Sequence, residues 1–205
     1  MDVTFTTKEQ ILDAFVEMIA TLGYENVSMR DIATKVGINP ASIYYHFDNK
    51  GQLLEQAYDY YVQHRYDNRK SVAEMKTLIE TASAEEIIYG FRYSHESDAP
   101  RQYIRMVLIS KIVYMRLYLD PIANALFMEL NADSAEFISS VLRYGVEIGR
   151  IDPDFDVDIF TEVFTGSIQI MGIRAFANPN YSIQQLDQEF RILNQFVTLL
   201  GLAMK

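Results

Sequence analysis

Apolar residues recur every three or four positions through nearly the whole chain, and helix-breaking residues fall between those runs. Ile11, Phe15, Ile19 and Leu22 form the first stripe, while Pro100, Pro121, Pro153 and Pro179 separate later ones. No convincing run alternates polar and apolar residues, so the pattern predicts an all-helical protein. Thr6 or Thr7 is placed to cap the first helix, with Glu9 or Gln10 three residues on, and Gly23 ends it. A second helix starts at Ser28, with Asp31 at capping-box distance, and stops at Gly37. A third starts at Asn39, with Pro40 at its first position, where a missing N–H loses nothing. A fourth begins at Asp48 or Asn49 and runs to about Glu74. Further helices are expected at residues 84–96, 101–119, 121–130, 132–149, 156–177 and 183–204. The division expected is a three-helix unit over residues 1–50 and a larger helical bundle over residues 51–205, joined by the long fourth helix.

Several function classes are excluded by residue usage. The chain has 205 residues, 49% of them hydrophobic, enough for a substantial core. It has no cysteine, so disulfides and thiolate metal sites are ruled out, and a cytoplasmic location is expected. The opening "MDVTFTTKEQ" contains no long apolar run and does not read as a secretory signal. The most apolar window, residues 163–177, holds Thr165, Ser167, Gln169 and Arg174, so it reads as a buried helix and not a membrane span. No cofactor and no enzymatic activity are expected. A di-iron bundle needs Glu-x-x-His pairs, but His46, His64 and His95 follow Ile43, Tyr61 and Arg92 by three residues. The sequence contains no zinc-ligand spacing, no Gly-rich phosphate loop and no nucleophile elbow.

Residues 28–47 have the spacing of a helix-turn-helix. Ala33 is small where two short helices cross, Gly37 suits the turn, and Ile32, Val36, Ile38 and Ile43 enclose a small core. If Ile43 and Phe47 face that core, Ala41 and Tyr45 point away at about 100° per residue, flanked by Ser42 and Tyr44, with His46 nearer the core. Such a face suits a DNA groove, where phenol hydroxyls donate to phosphates. The alternative is that Tyr44 and Tyr45 pack on the fourth helix with only their hydroxyls wet. The net charge of −10 opposes nucleic-acid binding, although residues 28–50 carry Arg30, Lys35 and Lys50 against only Asp31 and Asp48.

The stretch "GYENVSMRDIATKVGINPASIYYHFDNKGQLL" resembles the DNA-binding domain of the TetR/AcrR family of transcriptional regulators, from about Thr7 to Leu54. The resemblance implies that the second helix of the motif enters the major groove. It also implies DNA contacts from Ser28, Met29, Arg30, Asn39, Pro40, Ala41, Ser42, Tyr44, Tyr45 and His46, with Lys50 on a phosphate. Two departures from the family pattern stand out. Asn39-Pro40 removes one backbone donor at the groove end, and the face is poor in Arg and Lys. Guanine readout then falls mainly to Arg30, unless Arg30 pairs with Asp31 or Glu25, and thymine methyls and DNA shape carry more of the specificity.

In the C-terminal half the resemblance is mainly architectural. It implies a homodimer formed by the last two helices, through Phe160, Phe164, Ile168, Met171, Phe190, Leu193, Phe196, Val197 and Leu200. The segment from Val157 to Phe176 is apolar on more than one face, as such a helix would be, though an intrachain core would serve the same pattern. The resemblance also implies a pocket for a small, largely apolar effector among the central helices, with Met106, Ile109, Tyr114, Phe127, Phe164 and Ile168 as candidate lining, or else plain core. Arg105, Lys111 and Arg116 interrupt that apolar region as a solvated stripe or as a hold for an acidic effector.

The expected function is therefore a ligand-responsive DNA-binding regulator, a repressor released from a pseudo-palindromic operator, with no membrane partner. The alternative is a helical binding module on the same scaffold that answers to a protein partner or no longer binds DNA.

Overall fold

The computed structural model describes residues 6–67, 69–91 and 100–178, together with 185, 188, 189, 191–193 and 195; for residues 100–103 it describes the backbone alone. It is all-helical: α1 Thr7–Leu22, α2 Met29–Val36, α3 Lys50–His64, α4 Val72–Thr81, α5 Ala84–Gly90, α6 Pro100–Arg116, α7 Pro121–Glu147 and α8 Val157–Ala177, with 3₁₀ turns at Tyr24–Asn26 and Ser42–Tyr45. The described residues between 185 and 195 are helical. Two compact units form, one from Met1–Asp67 and His95–Asn124, the other from Asn68–Ser94 and Ala125–Lys205. The first unit thus extends past residue 50 and takes in α6.

Helix starts are set by reciprocal caps. Thr6 accepts the Glu9 amide while the Glu9 carboxylate accepts the Thr6 N–H, at 3.3 and 2.9 Å. The same box forms at Ser28/Asp31, Ser71/Glu74 and Ser83/Glu86. The box at Ser71 explains why the fourth helix does not reach Glu74: α3 ends at His64, whose ring bonds Asp67 at 2.6 Å, and a new helix begins at Val72. The expected helices at 121–130 and 132–149 are one helix of 27 residues. Neither Pro nor Gly interrupts it between Pro121 and Gly145, and its buried Leu126, Phe137, Ile138, Val141 and Leu142 stay on one face. Asn131, which falls between the two expected helices, accepts a bond from Gln169 at 2.7 Å.

In the first unit the buried stripe of α1, with Ile11, Phe15 and Ile19, meets α2, α3 and α6. Arg105 on α6 is buried there, paired with Asp13 and lying 4.5 Å over the Tyr60 ring. In the second unit Met75, Ile79, Ile87, Phe91, Phe137, Val141, Phe160 and Phe164 form the core. Gly145 lets that core close tightly, because a Cβ there would lie 2.6 Å from the Ile79 Cδ1 and 2.7 Å from the Ile151 Cδ1, and both buried side chains would have to shift. Arg150 closes the end of α4 by donating to the carbonyls of Ile79 and Ala82 at 3.2 and 2.8 Å. Among the described residues, no helix is long and apolar enough to cross a membrane.

The caps make stability acid-sensitive. Hydrogen bonds from the side chain and backbone of the cap serine hold the Asp31 carboxyl below its usual range, and the Glu74 and Glu86 carboxyls are lowered by the same bonds from Ser71 and Ser83. The unfolded chain therefore binds more protons, so this stability is complete above the ordinary carboxylate pKa of about 4 and is lost as pH falls through and below it. A Glu74→Gln/Glu86→Gln variant is expected to melt lower than the parent at pH 7 and to lose less on acidification to pH 3. Thermal melts followed by circular dichroism across that range check this. Equal losses in parent and variant would contradict it.

Candidate nucleic-acid interface

The frame is built by α2, a turn and the short 3₁₀ helix Ser42–Tyr45. Ser28 caps α2, its hydroxyl bonding Asp31 at 2.6 Å. Gly37 follows at φ 80°, ψ 26°, the left-handed conformation that favours glycine. Its N–H and that of Ile38 both bond the Ala33 carbonyl, at 2.9 and 3.0 Å, which reverses the chain in a closed cap. Ile32, Ile43 and Phe47 are buried beneath the turn.

The second helix of the motif is a single 3₁₀ turn and not an α-helix. The Asn39 side chain accepts the Ala41 N–H at 2.8 Å and the Asn39 carbonyl accepts that of Ser42, also at 2.8 Å. Pro40 has no N–H, so all backbone donors at the entrance of this turn are absent or consumed. The sequence shows the proline loss; the capture of the next two amides becomes visible only with the Asn39 side chain in place.

The structure distributes the expected contact residues as follows. Tyr45 is 89% exposed and Tyr44 55% exposed, so neither is packed away on α3. Arg30, Asn39, Pro40, Ala41 and Ser28 are exposed, and Ser42 is half-buried. His46 is exposed, contrary to its expected position near the core. It lies past the 3₁₀ helix, at φ −106°, where helical spacing no longer applies. Met29 is buried, a residue of the core more than of the surface.

The cations differ in what they are free to do. Arg30 is exposed and makes no ion pair among the described residues. Lys35 pairs with Glu17 at 2.9 Å. Lys50 donates to the carbonyls of Tyr24 and Val27, at 2.6 and 2.8 Å, and lies 4.1 Å over the Tyr24 ring. Two of its three N–H groups are therefore committed inside the protein. Arg116, read from sequence as a solvated stripe or an effector contact, bonds Asp120 at 3.2 Å and lies 4.2 Å over the same Tyr24 ring.

The other expected sites are redistributed. Met106, Ile109 and Tyr114 belong to the first unit, and Phe127, Phe164 and Ile168 to the second. Ile109 and Phe164 are fully buried, and Ile168 packs against the second core. Of the expected dimer residues, Phe160, Phe164, Met171 and Leu193 are buried within their own chain. The reason is the two-faced pattern of α8. Val157, Phe160, Phe164 and Met171 form its inner stripe, and the outer stripe is Ile159, Val163, Ile170 and Ile173, all exposed. An open groove runs beside this outer stripe, lined by Val163, Gly166, Ile170 and Ile192 with Arg174 and Glu189. Phe190, Phe196, Val197 and Leu200 lie outside the described residues. No group of acidic and histidine side chains suited to a metal occurs among the described residues.

Replacing Lys50 by Met is expected to cost about 2 kcal/mol, since it removes two charge-assisted bonds and leaves the Tyr24 carbonyl with only the long bond from the Val27 N–H. Urea unfolding checks this, and an unchanged midpoint would show that water replaces both bonds without loss.

Residues 5–57 match the sequence family described as bacterial regulatory proteins, tetR family. The biofilm operon icaADBC HTH-type negative transcriptional regulator IcaR of Staphylococcus aureus (strain Newman) is 31% identical over 99 residues, which cover 48% of this chain and 50% of IcaR. The chain thus spans about half the length of the curated relatives it matches. Two solved structures share the fold along most of both chains. A putative transcriptional regulator from Saccharomonospora viridis, in complex with choline, is 22% identical with a TM-score of 0.58, covering 93% of this chain and 95% of its own. The ketosteroid transcriptional regulator KstR2 of Mycobacterium tuberculosis is 20% identical with a TM-score of 0.60, covering 98% and 96%. The capped helix, the glycine turn and the tyrosine face all lie within residues 5–57, the part of the chain that matches this family of regulatory proteins.

Proposed function

We propose that this chain is a cytoplasmic, homodimeric DNA-binding transcriptional repressor that a small molecule releases from its operator. The observation that carries the DNA reading is Tyr45: a large aromatic, 89% exposed, on a turn whose opposite side is fully buried. Such a side chain contributes little to folding and is well placed to serve a partner. Tyr44, Ala41, Arg30 and Ser28 complete the face, and Lys50 keeps one N–H for a phosphate oxygen. The word "negative" in the name of the IcaR relative supports repression, and the choline bound by the Saccharomonospora protein supports a small effector. A dimer would set two such faces about 34–36 Å apart, one helical turn of DNA. The coupling required of the effector is modest, on the order of 1–3 kcal/mol.

Selection of fragments from a random DNA pool tests the first part. A pseudo-palindromic winner is expected, bound less tightly as salt rises. Tyr45→Ala is expected to weaken its binding about tenfold, the loss of one good hydrogen bond with its contact area, while the melting temperature stays unchanged. Parental affinity in that variant would remove Tyr45 from the contact.

The dimer is expected to use the outer stripe of α8. Ile170→Glu places a charge on that stripe and is expected to shift the protein toward monomer in sedimentation at low micromolar concentration, with helix content retained. A variant that stays dimeric would place the interface elsewhere.

A further inference from the structure

The segment leading into α2 is weakly held by its own backbone. In the 3₁₀ turn Tyr24–Asn26 the Asn26 N–H reaches the Gly23 carbonyl at 3.2 Å, and the Val27 N–H reaches that of Tyr24 at 3.5 Å. The Asn26 side chain adds one bond back to the Leu22 carbonyl, at 2.8 Å. Two cations from distant helices supply firmer restraint. Lys50, at the start of α3, holds the carbonyls of Tyr24 and Val27, the second of these immediately before the Ser28 cap. Arg116, at the end of α6, lies over the Tyr24 ring as Lys50 does, at 4.2 and 4.1 Å. Phe15 also meets this ring, edge-on at 6.5 Å between centroids.

Arg116 is itself aimed. Its guanidinium is mostly buried and bonds the Asp120 carboxylate, also mostly buried. Asp120 accepts the hydroxyl of the buried Tyr58 on α3 at 3.0 Å, and its other oxygen caps α7 through the Ile122 N–H, also at 3.0 Å. Glu25 stands 3.9 Å from Arg116 but is 84% exposed, so water screens it. Burial works to raise the Asp120 pKa, but the bonds from Tyr58, Arg116 and the α7 amides outweigh it and keep the carboxylate charged. The segment before α2 thus meets α3 through Lys50 and the α6–α7 corner through the Tyr24 ring, while Tyr58 and Asp120 join α3 to that corner directly.

We propose that Arg116 is a positioning residue for DNA binding: with Lys50 it clamps the Tyr24 ring and so sets the position of α2, which carries Ser28 and Arg30. The proposal rests on the DNA-binding reading above. It assigns Arg116 no contact with DNA. A cation over an aromatic face keeps its value when shielded from water, and both cations here are shielded in part.

The test compares Arg116→Gln, Arg116→Lys, Tyr24→Phe, Tyr24→Leu and the Arg116→Gln/Tyr24→Leu double variant. Amide hydrogen exchange of residues 27–32 is read in the DNA-free protein, and affinity for the selected fragment is read at several salt concentrations. Arg116→Gln and Tyr24→Leu are each expected to speed exchange and weaken DNA binding about tenfold, with the salt slope unchanged. Tyr24→Phe, which keeps the ring, is expected to behave as the parent, and Arg116→Lys to recover much of the loss. The double variant is expected to be no worse than either single one, because both remove the same contact. Unchanged exchange in Arg116→Gln overturns the clamp. So do additive losses, and a salt slope reduced by about one per protomer would make Arg116 a phosphate contact instead. If the substitution speeds exchange yet the parent enriches no DNA, the clamp is real and the DNA-binding reading is what fails. If Arg116→Gln does not fold, Arg116→Lys and Tyr24→Phe against Tyr24→Leu decide the matter.

Discussion

The apolar stripe of α1 is the constraint on which the first unit depends. Ile11, Phe15 and Ile19 are almost fully buried, and α2, α3 and α6 each pack against that one helix. Helices in folded proteins owe most of their stability to tertiary packing, so the persistence of α1 comes from these contacts together with its capping box. The exposed face of the motif is therefore presented by a frame whose parts share a common support. Single substitutions in the stripe are expected to affect the whole unit, and those on Tyr44 or Tyr45 only the face.

Much of this frame could be read from the sequence because its determinants are local. Thr6 with Glu9, Ser28 with Asp31, and Gly37 at the turn each act within four residues, and each acts in the structure as its spacing implies. Ile43 and Phe47 faced inward as their spacing required. The Ser71 and Ser83 boxes are equally local and equally legible, although the expected fourth helix ran through the first of them. What escaped reading was decided by partners far along the chain. Lys50 has the position of a phosphate contact, and nothing near it in sequence says that the carbonyls of Tyr24 and Val27 take two of its protons. Arg116 likewise acquires its role from Tyr24 and Asp120. On α8 the sequence showed two apolar faces without showing which one the chain would bury itself.

The charge of −10 meets a face with few free cations. Lys35 answers Glu17 and Lys50 answers two carbonyls, leaving Arg30 as the exposed guanidinium of residues 28–50. The acids belong to both units, and several of them, Asp31, Glu74 and Glu86 among them, are occupied as caps. Part of the negative charge therefore has a structural task, and whole-chain charge is a poor guide to the field at this one turn.

The consumption of backbone donors at residues 40–42 bears on how such a face changes over evolutionary time. Where main-chain amides hold a ligand, recognition is tied to the fold, and altering one disturbs the other. Here Asn39 and Pro40 have closed that route, and what the surface offers is the side chains that project from a turn already satisfied within itself. Substitutions at Ala41, Tyr44 or Tyr45 can then redirect what the surface prefers while the frame beneath stays intact.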